Sequence, residues 1–174
     1  ASWTAIKTFA SGKIIDIEVA WSNPNVIYVV FAPTDFYANK FIWKTTDAGK
    51  TWTNISLSSA VTNNNSSLAM DLTVSDSSEN DIWVGLIHPY NWNNADGNKI
   101  FYSSNGGLTY TNWTTTLLNG EGITNIEFYR GSSGGIYVGS RKSVFYRDKT
   151  MSNWVTFGTG MPIPTSSVKV LPWY

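Results

Sequence analysis

Cysteine is absent from the 174 residues of this chain, which excludes a disulfide scaffold, thiolate chemistry and cysteine-ligated zinc. Charged residues are also scarce: they make up 14% of the sequence, and the formal net charge is zero. The lysines and arginines are scattered, so they form no basic stripe that could neutralise nucleic-acid phosphates. The apolar runs are no longer than one strand, far short of a bilayer span. The sequence therefore predicts neither nucleic-acid binding nor a membrane span.

Aromatic and small polar residues are abundant instead. The chain has nine Trp, nine Tyr and eight Phe residues, whereas residues that favour helices are few. Aromatic and β-branched residues pack well on a pleated surface, so the composition indicates an all-β protein. The length fits one large domain or a piece of a larger protein. A surface rich in Thr, Ser and Asn but poor in charge favours a secreted or cell-surface location.

An internal repeat of roughly fifty residues runs through the sequence, a period typical of propellers and solenoids. Its first strand alternates apolar and polar residues and recurs at residues 15–19, 70–74, 124–128 and 166–170. A second apolar strand follows the first three copies, at residues 26–29, 81–84 and 135–138. The segments between first and second strands are rich in residues that form hairpin turns.

The turn after the third strand carries the most regular motif of the repeat. Residues 45–52 read Thr-Thr-Asp-Ala-Gly-Lys-Thr-Trp. The Thr45 and Asp47 side chains can hydrogen-bond the backbone of this turn. Gly49 can take the positive φ that the turn needs, and Trp52 can open the fourth strand as a buried aromatic residue. A second copy has the same pattern in Ser103, Asn105, Gly107 and Tyr110, and a third copy clearly keeps only Trp154.

Four antiparallel strands per repeat predict a β-propeller, in which each blade buries its faces against its neighbours. We expect a single propeller domain or fragment over residues 1–174, with three four-stranded blades at about 12–57, 66–117 and 122–158. Partial blade strands are predicted at both ends, at residues 2–9 and 165–172. The open ends fit either a fragment of a longer chain or a chain that pairs with another chain or copy.

These motifs resemble the Asp-box, or BNR, repeat family, whose relatives include sialidases, xyloglucanases and sortilin-like receptors. The third repeat, at residues 135–140, 144–154 and 157–162, is similar to propeller modules of secreted bacterial surface proteins. The resemblance implies a propeller fold and a structural role for the turn residues, but Asp-boxes occur on enzymes and on non-enzymes. Asn105 and Lys149 replace the acidic residue in the later copies, which argues against calcium binding at every turn.

The loops at the end opposite these turns are the predicted ligand-binding surface, because propellers usually bind ligands there. Aromatic faces stack on sugar rings while amides and carboxylates bind hydroxyl groups. The alternative is that these aromatic side chains cover a blade edge. No cofactor is predicted; residues 96–98 offer oxygen ligands for calcium but lack the full spaced loop. The predicted ligand-binding residues are Tyr90, Trp92, Asn94, Asp96, Phe36 and Tyr37.

The carboxylates are the remaining candidates for catalysis, because a glycoside hydrolase needs two that face each other. Asp16 and Asp71 hold equivalent positions on innermost strands, and Glu121 is a further candidate for the acid or base. Alternatively these carboxylates form only a solvated polar edge. A sialidase would also need an arginine cluster, and the few arginines of this chain all lie in the third unit.

No catalytic residue is therefore assigned from the sequence. The favoured interpretation is a non-catalytic binding or scaffolding module that recognises a polysaccharide or a protein partner through aromatic loops. The alternative is a fragment of an Asp-box propeller glycoside hydrolase, and a structural spacer without a ligand is a third possibility. The predicted partners also include further propeller blades, from the same chain or from another.

Overall fold

A computed structural model describes residues 2–34, 41–58, 68–87, 97–141 and 143–157, with only the backbone for residues 68–70 and 87. These ranges contain twelve strands and one short 3-10 helix, Thr116–Leu118. The prediction of an all-β chain is confirmed. Within the same ranges there is no helix of the length and hydropathy needed to cross a membrane.

The twelve strands form three four-stranded antiparallel sheets, each built from consecutive strands. Sheet 1 contains β1 (Lys13–Val19), β2 (Ile27–Ala32), β3 (Ile42–Thr45) and β4 (Thr53–Asn54). Sheet 2 contains β5 (Leu68–Val74), β6 (Ile82–Ile87), β7 (Ile100–Ser103) and β8 (Thr111–Asn112). Sheet 3 contains β9 (Ile123–Phe128), β10 (Ile136–Ser140), β11 (Val144–Arg147) and β12 (Val155–Phe157). The predicted number of complete four-stranded units is therefore confirmed.

Apolar side chains fill the spaces between neighbouring sheets. Sheets 1 and 2 enclose one core around Tyr28 and Val84, and sheets 2 and 3 enclose another around Trp83 and Ile136. Trp83 and Val84 are consecutive, and their side chains enter opposite cores because side chains alternate along a strand. Sheet 2 is therefore covered on both faces, as the central member of the stack.

The first strand of each sheet carries a β-bulge at the same place. In β1 the bulge leaves Ile15 without a pairing partner on β2, and the equivalent residues are Met70 in β5 and Thr124 in β9. A bulge bends its strand and re-aims the side chains beside it. The residues that follow the three bulges are Asp16, Asp71 and Asn125.

Residues 2–9, predicted as a partial blade strand, form no strand in the structure. Each of the three sheets already has its fourth strand, so this segment has no ladder to join. Ile6 nevertheless occupies an inter-sheet position, because its carbonyl accepts the Trp52 indole N–H at 3.3 Å, as the Ile55 carbonyl accepts the Tyr110 hydroxyl at 2.8 Å. Membership of residues 2–9 in a further blade stays a prediction, and the predicted strand 165–172 lies outside the described residues.

Candidate functional site

The innermost strands β1, β5 and β9 lie side by side, and carboxylates tie them together. The Asp16 Oδ2 atom accepts the Leu72 N–H of the next sheet at 3.2 Å. The Asp71 Oδ2 atom accepts the Ile126 N–H at 2.7 Å, so the same contact is repeated one sheet further along. These carboxylates satisfy backbone donors at the inner sheet edges, which would otherwise have to bond to water.

Two further side chains of sheet 2 hold sheet 3 in a similar way. The Thr73 hydroxyl accepts the Phe128 N–H at 3.2 Å, and the Asp76 carboxylate accepts the Gly131 N–H at 2.8 Å. Neither residue is among the sequence-predicted site residues. The available signal was the repeat register, which places them 55 positions before the residues that they bind.

The carboxyl groups of Asp16 and Asp71 meet at one backbone donor, because both accept the Leu72 N–H, at 3.2 and 3.1 Å. At such a short separation the negative charge of one carboxylate disfavours ionisation of the other. Burial, and then the neighbouring charge of Asp16, raise the pKa of Asp71 to about 8. The structure thus brings the two predicted candidates, Asp16 and Asp71, together. It differs from the alternative prediction of a solvated polar strand edge, because both carboxyl groups accept hydrogen bonds from the next sheet.

Glu18 belongs to the same inner-strand cluster. Burial is the main cause that raises the pKa of Glu18 to about 8, and the charges of Asp16, Glu127 and Asp71 add to the effect. The positive charge of Arg130 opposes these causes. Within the inner-strand cluster, defined as Asp16, Glu18, Asp71 and Glu127, Glu18 and Asp71 therefore retain protons near neutral pH.

An exposed aromatic side chain lies where the turn after β1 begins. The Trp21 indole is exposed, and the Arg130 guanidinium stacks over it at 4.0 Å from the ring centroid. Trp21, Asp76 and Arg130 hold equivalent positions, two residues beyond the ends of β1, β5 and β9. This contact reaches from sheet 1 to sheet 3 across the inner edge of the stack.

Glu121 lies apart from the Asp16–Asp71 pair in its contacts. Its carboxylate accepts the Ser140 hydroxyl at 2.6 Å, and its backbone carbonyl accepts the Lys99 ammonium, also at 2.6 Å. Both contacts fix the connection that leads into β9. The alternative prediction that Glu121 supplies an acid or base opposite the two aspartates finds no counterpart in these contacts.

The turn at residues 45–52 is a network of side-chain-to-backbone hydrogen bonds. The Thr45 hydroxyl donates to Asp47 at 2.8 Å and accepts the Gly49 N–H at 2.9 Å. The Asp47 carboxylate also accepts the Thr51 N–H at 2.8 Å and the Thr51 hydroxyl at 2.7 Å. The Thr51 backbone bond is the largest of the causes that lower the pKa of Asp47 to about 2. Gly49 has a φ of 91°, which is the left-handed conformation that glycine tolerates.

The second copy of this turn repeats the geometry, and the third copy replaces it. Ser103 accepts the Gly107 N–H at 2.9 Å, and Asn105 accepts the Thr109 N–H at 2.9 Å. In the third copy Arg147 stands in the place of Thr45, and its guanidinium donates to the Trp113 carbonyl at 2.7 Å. Lys149 stands in the place of Asp47 and forms an ion pair with Asp81 of sheet 2 at 2.5 Å. The third turn thus binds the preceding sheet through Arg147 and Lys149, in addition to hydrogen bonds with its own backbone at Thr150 and Met151.

The aromatic members of these turns bind the preceding structure. The Tyr110 hydroxyl donates to the Ile55 carbonyl at 2.8 Å, and the Trp154 indole N–H donates to the Trp113 carbonyl at 2.8 Å. Trp52 makes the equivalent bond to Ile6. Each turn therefore clamps a hairpin and also joins two neighbouring layers of the stack.

The predicted ligand-binding residues lie outside the described ranges. These residues are Phe36, Tyr37, Tyr90, Trp92, Asn94 and Asp96, and the ligand site that they form stays a prediction. Within the described ranges no group of three or more His, Asp or Glu side chains has the arrangement of a metal site.

The fold has counterparts among solved structures, although no family model and no curated protein matches the sequence. The Niastella koreensis GH74 enzyme aligns with a TM-score of 0.54 and 17% identity over 80% of this chain and 20% of the enzyme. The Xanthomonas campestris GH74 xyloglucanase aligns with a TM-score of 0.59 and 13% identity over 90% of this chain and 23% of the enzyme. The three sheets are blades of a β-propeller.

A third structural counterpart of this propeller segment is YCF48, in a structure with a bound D1 peptide. It aligns with a TM-score of 0.58 and 13% identity over 84% of this chain and 41% of YCF48. The propeller segment thus spans about a fifth of the GH74 enzymes and two fifths of YCF48. At these identities the likeness concerns the fold alone, because one propeller architecture serves unrelated functions.

Proposed function

We propose that this chain is part of an Asp-box propeller that acts as a non-catalytic binding or scaffolding module. The observation that carries the proposal is that Asp16 and Asp71 both accept the Leu72 N–H, at 3.2 and 3.1 Å. The two carboxyl groups of a glycoside hydrolase stand about 5 to 9.5 Å apart, with the sugar or a water between them. Here a backbone N–H lies between the two groups in the place of a sugar or a water.

The second support is that both carboxyl groups already have a structural task. Each one accepts a backbone N–H from the next sheet, at Leu72 and at Ile126. An acid or base must turn towards the substrate to exchange its proton. A carboxyl group that is hydrogen-bonded to the edge of a neighbouring sheet is not free to do so. The asparagine at position 125 fits this interpretation, since an amide can occupy the equivalent site but cannot act as an acid or base.

The Asp-box assignment is supported by the turns at residues 45–52 and 103–110. In both, a hydroxyl at the first position accepts the N–H of the glycine four residues later, at 2.9 Å. In both, the third residue accepts the N–H of the threonine four residues after it, at 2.8 to 2.9 Å. A hydrogen-bonded turn of this kind stabilises a hairpin and contributes no reactive group.

The proposed ligand is a polysaccharide or a protein partner, bound through the loops that carry Phe36, Tyr37, Tyr90 and Trp92. YCF48, which shares the fold, is described with a bound peptide, and the GH74 counterparts include a xyloglucanase. Both kinds of ligand are therefore included in the test. We also propose a secreted or cell-surface location, on the grounds of the polar, charge-poor composition.

The proposal is tested by affinity electrophoresis against plant, algal and host polysaccharides, with an assay for new reducing ends in the same mixtures. We expect retarded migration without release of reducing ends. Trp92→Ala should remove the retardation, whereas Trp21→Ala, which changes an exposed tryptophan of a turn between β1 and β2, should leave it unchanged.

Release of reducing ends that Asp71→Asn abolishes would overturn the non-catalytic assignment. Equal retardation of Trp92→Ala and the unaltered chain would move the binding site away from the predicted loop. Binding of a protein from a defined surface fraction, with no effect of any polysaccharide, would select the protein partner.

A further inference from the structure

Sheet 1 has an uncovered face whose equivalents in the other sheets are buried. Ile17 is 55% exposed, whereas the equivalent residues Leu72 and Ile126 are 1% and 2% exposed because the preceding sheet covers them. Val19 is also exposed, while its equivalents in sheets 2 and 3 are buried. We call this surface, with Ile17, Val19, Gly49 and Trp52, the trailing face of sheet 1.

Sheet 3 has the opposite face uncovered. Phe157 is 54% exposed, whereas the equivalent residues Ile55 and Trp113 are 6% and 7% exposed because the following sheet covers them. Phe157 extends a row of aromatic rings: its centroid lies 5.2 Å from that of Tyr137, which lies 5.1 Å from that of Tyr146. We call the surface formed by these three residues the leading face of sheet 3.

The two uncovered faces are the two halves of a contact that the chain already makes twice. Between sheets 1 and 2, the residue at the Phe157 position packs against the turn glycine, since a Cβ on Gly107 would lie 2.5 Å from the Ile55 side chain. At both interfaces the carbonyl of this residue accepts a hydrogen bond from the aromatic residue of the following turn, Tyr110 or Trp154. The trailing face of sheet 1 offers the same two features in Gly49 and Trp52.

The polar groups of the inner strands match in the same way. Asp16 and Asp71 accept the N–H groups of Leu72 and Ile126. In this series Asn125 holds the acceptor position on the leading side of sheet 3. Ile17 holds the donor position on the trailing side of sheet 1. Contact between the two faces therefore continues the apolar pattern of the existing interfaces and brings the equivalent inner-strand positions side by side.

The outer part of the trailing face is covered by the segment that precedes β1. A Cβ on Gly49 would lie 2.9 Å from the Ile6 side chain, and the Phe9 ring stacks on Phe31 with centroids 4.2 Å apart. Ile6 thus takes the position that Ile55 and Trp113 take between sheets. The inner part, with Ile17 and Val19, stays exposed.

We propose that the leading face of sheet 3 docks on the trailing face of sheet 1 of a second copy, with Phe157 replacing Ile6. Among the described sheets, only sheet 1 has a trailing face that no other described sheet covers. This face is therefore the counterpart that fits the leading face of sheet 3. The contact is head-to-tail, so two such contacts between two copies give a closed ring of six sheets, within the range of four to eight blades of propellers. Because the Ile6 segment must move aside, it acts as an internal competitor of this association.

The test is the mass of the chain in solution, by light scattering and sedimentation at about 1 to 100 µM. We expect a species of twice the 19.3 kDa chain mass whose fraction rises with concentration. Removal of residues 2–9 should lower the dissociation constant, because it removes the competitor. Phe157→Glu should raise it at least about tenfold, while Phe157→Leu should preserve association. Circular dichroism and thermal melting show that each variant is folded.

A mixing experiment distinguishes the head-to-tail contact from a symmetric one. Ile17→Lys and Phe157→Glu should each be monomeric alone, and their equimolar mixture should regain pairs through one unaltered contact. Monomers at every concentration, with and without residues 2–9, would overturn the proposal and assign the faces to sheets of another polypeptide segment. If the unaltered chain forms pairs but the mixture of the two variants does not, the head-to-tail arrangement is wrong. Neither result depends on ligand binding, so the proposed function is tested separately.

Discussion

Replacement of Asp71 by asparagine should stabilise the folded chain near neutral pH. The carboxyl groups of Asp16 and Asp71 both accept the Leu72 N–H, and burial together with the charge of Asp16 raises the pKa of Asp71, so ionisation of both groups is unfavourable. An amide at this position can still accept the Ile126 N–H, and it can donate to the Asp16 carboxylate without a shared proton. Asn125 shows that the repeat accommodates an amide at the equivalent position of sheet 3.

Proton linkage sets the size of the expected effect. Asp71 has a pKa of about 8 in the folded chain and 3.8 in the unfolded reference, so between these values the folded state holds the extra proton. The free energy of unfolding therefore falls as the pH rises through this window. The stabilising contribution of the Asp71 proton is complete only below the pKa of the unfolded state. One proton is worth at most about 1.4 kcal/mol per pH unit, or about 4 kcal/mol from pH 4 to 7. We halve this to about 2 kcal/mol because the pair is partly exposed.

Urea denaturation between about pH 4.5 and pH 8 measures this difference. The midpoint of the unaltered chain should fall with rising pH, and that of Asp71→Asn should fall less and lie higher at pH 7. Asp76→Asn is the matched control, since it changes another inter-sheet acceptor, which binds the Gly131 N–H. If Asp71→Asn destabilises the chain equally at all pH values, the hydrogen bond to Ile126 outweighs the repulsion and the argument is wrong.

Three other substitutions test the packing and the turns. Gly107→Ala should destabilise the chain by about 2 kcal/mol or more in urea denaturation, because its φ is 89° and the new Cβ would meet the Ile55 side chain. The control Gly120→Ala should cost about 1 kcal/mol, because its φ is 75° but the space around it is open. Asp47→Asn should reduce the loss of stability as the pH falls from 4 to 2, since the folded pKa of Asp47 lies below its ordinary value. Identical acid-denaturation curves for the variant and the unaltered chain, followed by fluorescence, would contradict this. Trp113→Ala should cost about 3 to 5 kcal/mol, because its buried ring contacts Trp83, Trp154 and the Arg147 guanidinium. Trp21→Ala should cost about 1 kcal/mol or less, because the change removes an exposed ring and its stacking contact with Arg130. Thermal melts measure both differences.

The sheets could be predicted from the sequence because their signals are local. Alternation along residues 15–19, 70–74 and 124–128 marked the inner strands, and turn-forming residues marked the hairpins. The same repeat register places Asp16, Asp71 and Asn125 at equivalent positions. Local rules suffice here because each sheet pairs consecutive strands, so no long-range choice of partner is needed.

The interactions between sheets could not be predicted in the same way. A bulge at Ile15 has no sequence signature, yet it precedes the aspartate that binds Leu72. The approach of Asp16 and Asp71 at the Leu72 N–H depends on the distance between neighbouring sheets, which the sequence period does not specify. Arg147 gave no sign that it would replace a threonine by reaching the Trp113 carbonyl. The contacts of long side chains that cross an interface depend on how the sheets pack, and no sequence motif encodes them.

Four hydrogen bonds along the inner edge of the stack run in one direction. Each of them joins a side chain of one sheet to a backbone N–H of the sheet that follows it in the chain. Separation of sheets 2 and 3 would therefore release the Ile126 and Phe128 amides of sheet 3 to exchange with solvent, whereas the Leu72 amide of sheet 2 would keep its bonds to Asp16 and Asp71. Local unfolding in this array should spread more readily towards the carboxyl terminus than towards the amino terminus, so that the molecule has a mechanical polarity along its sequence.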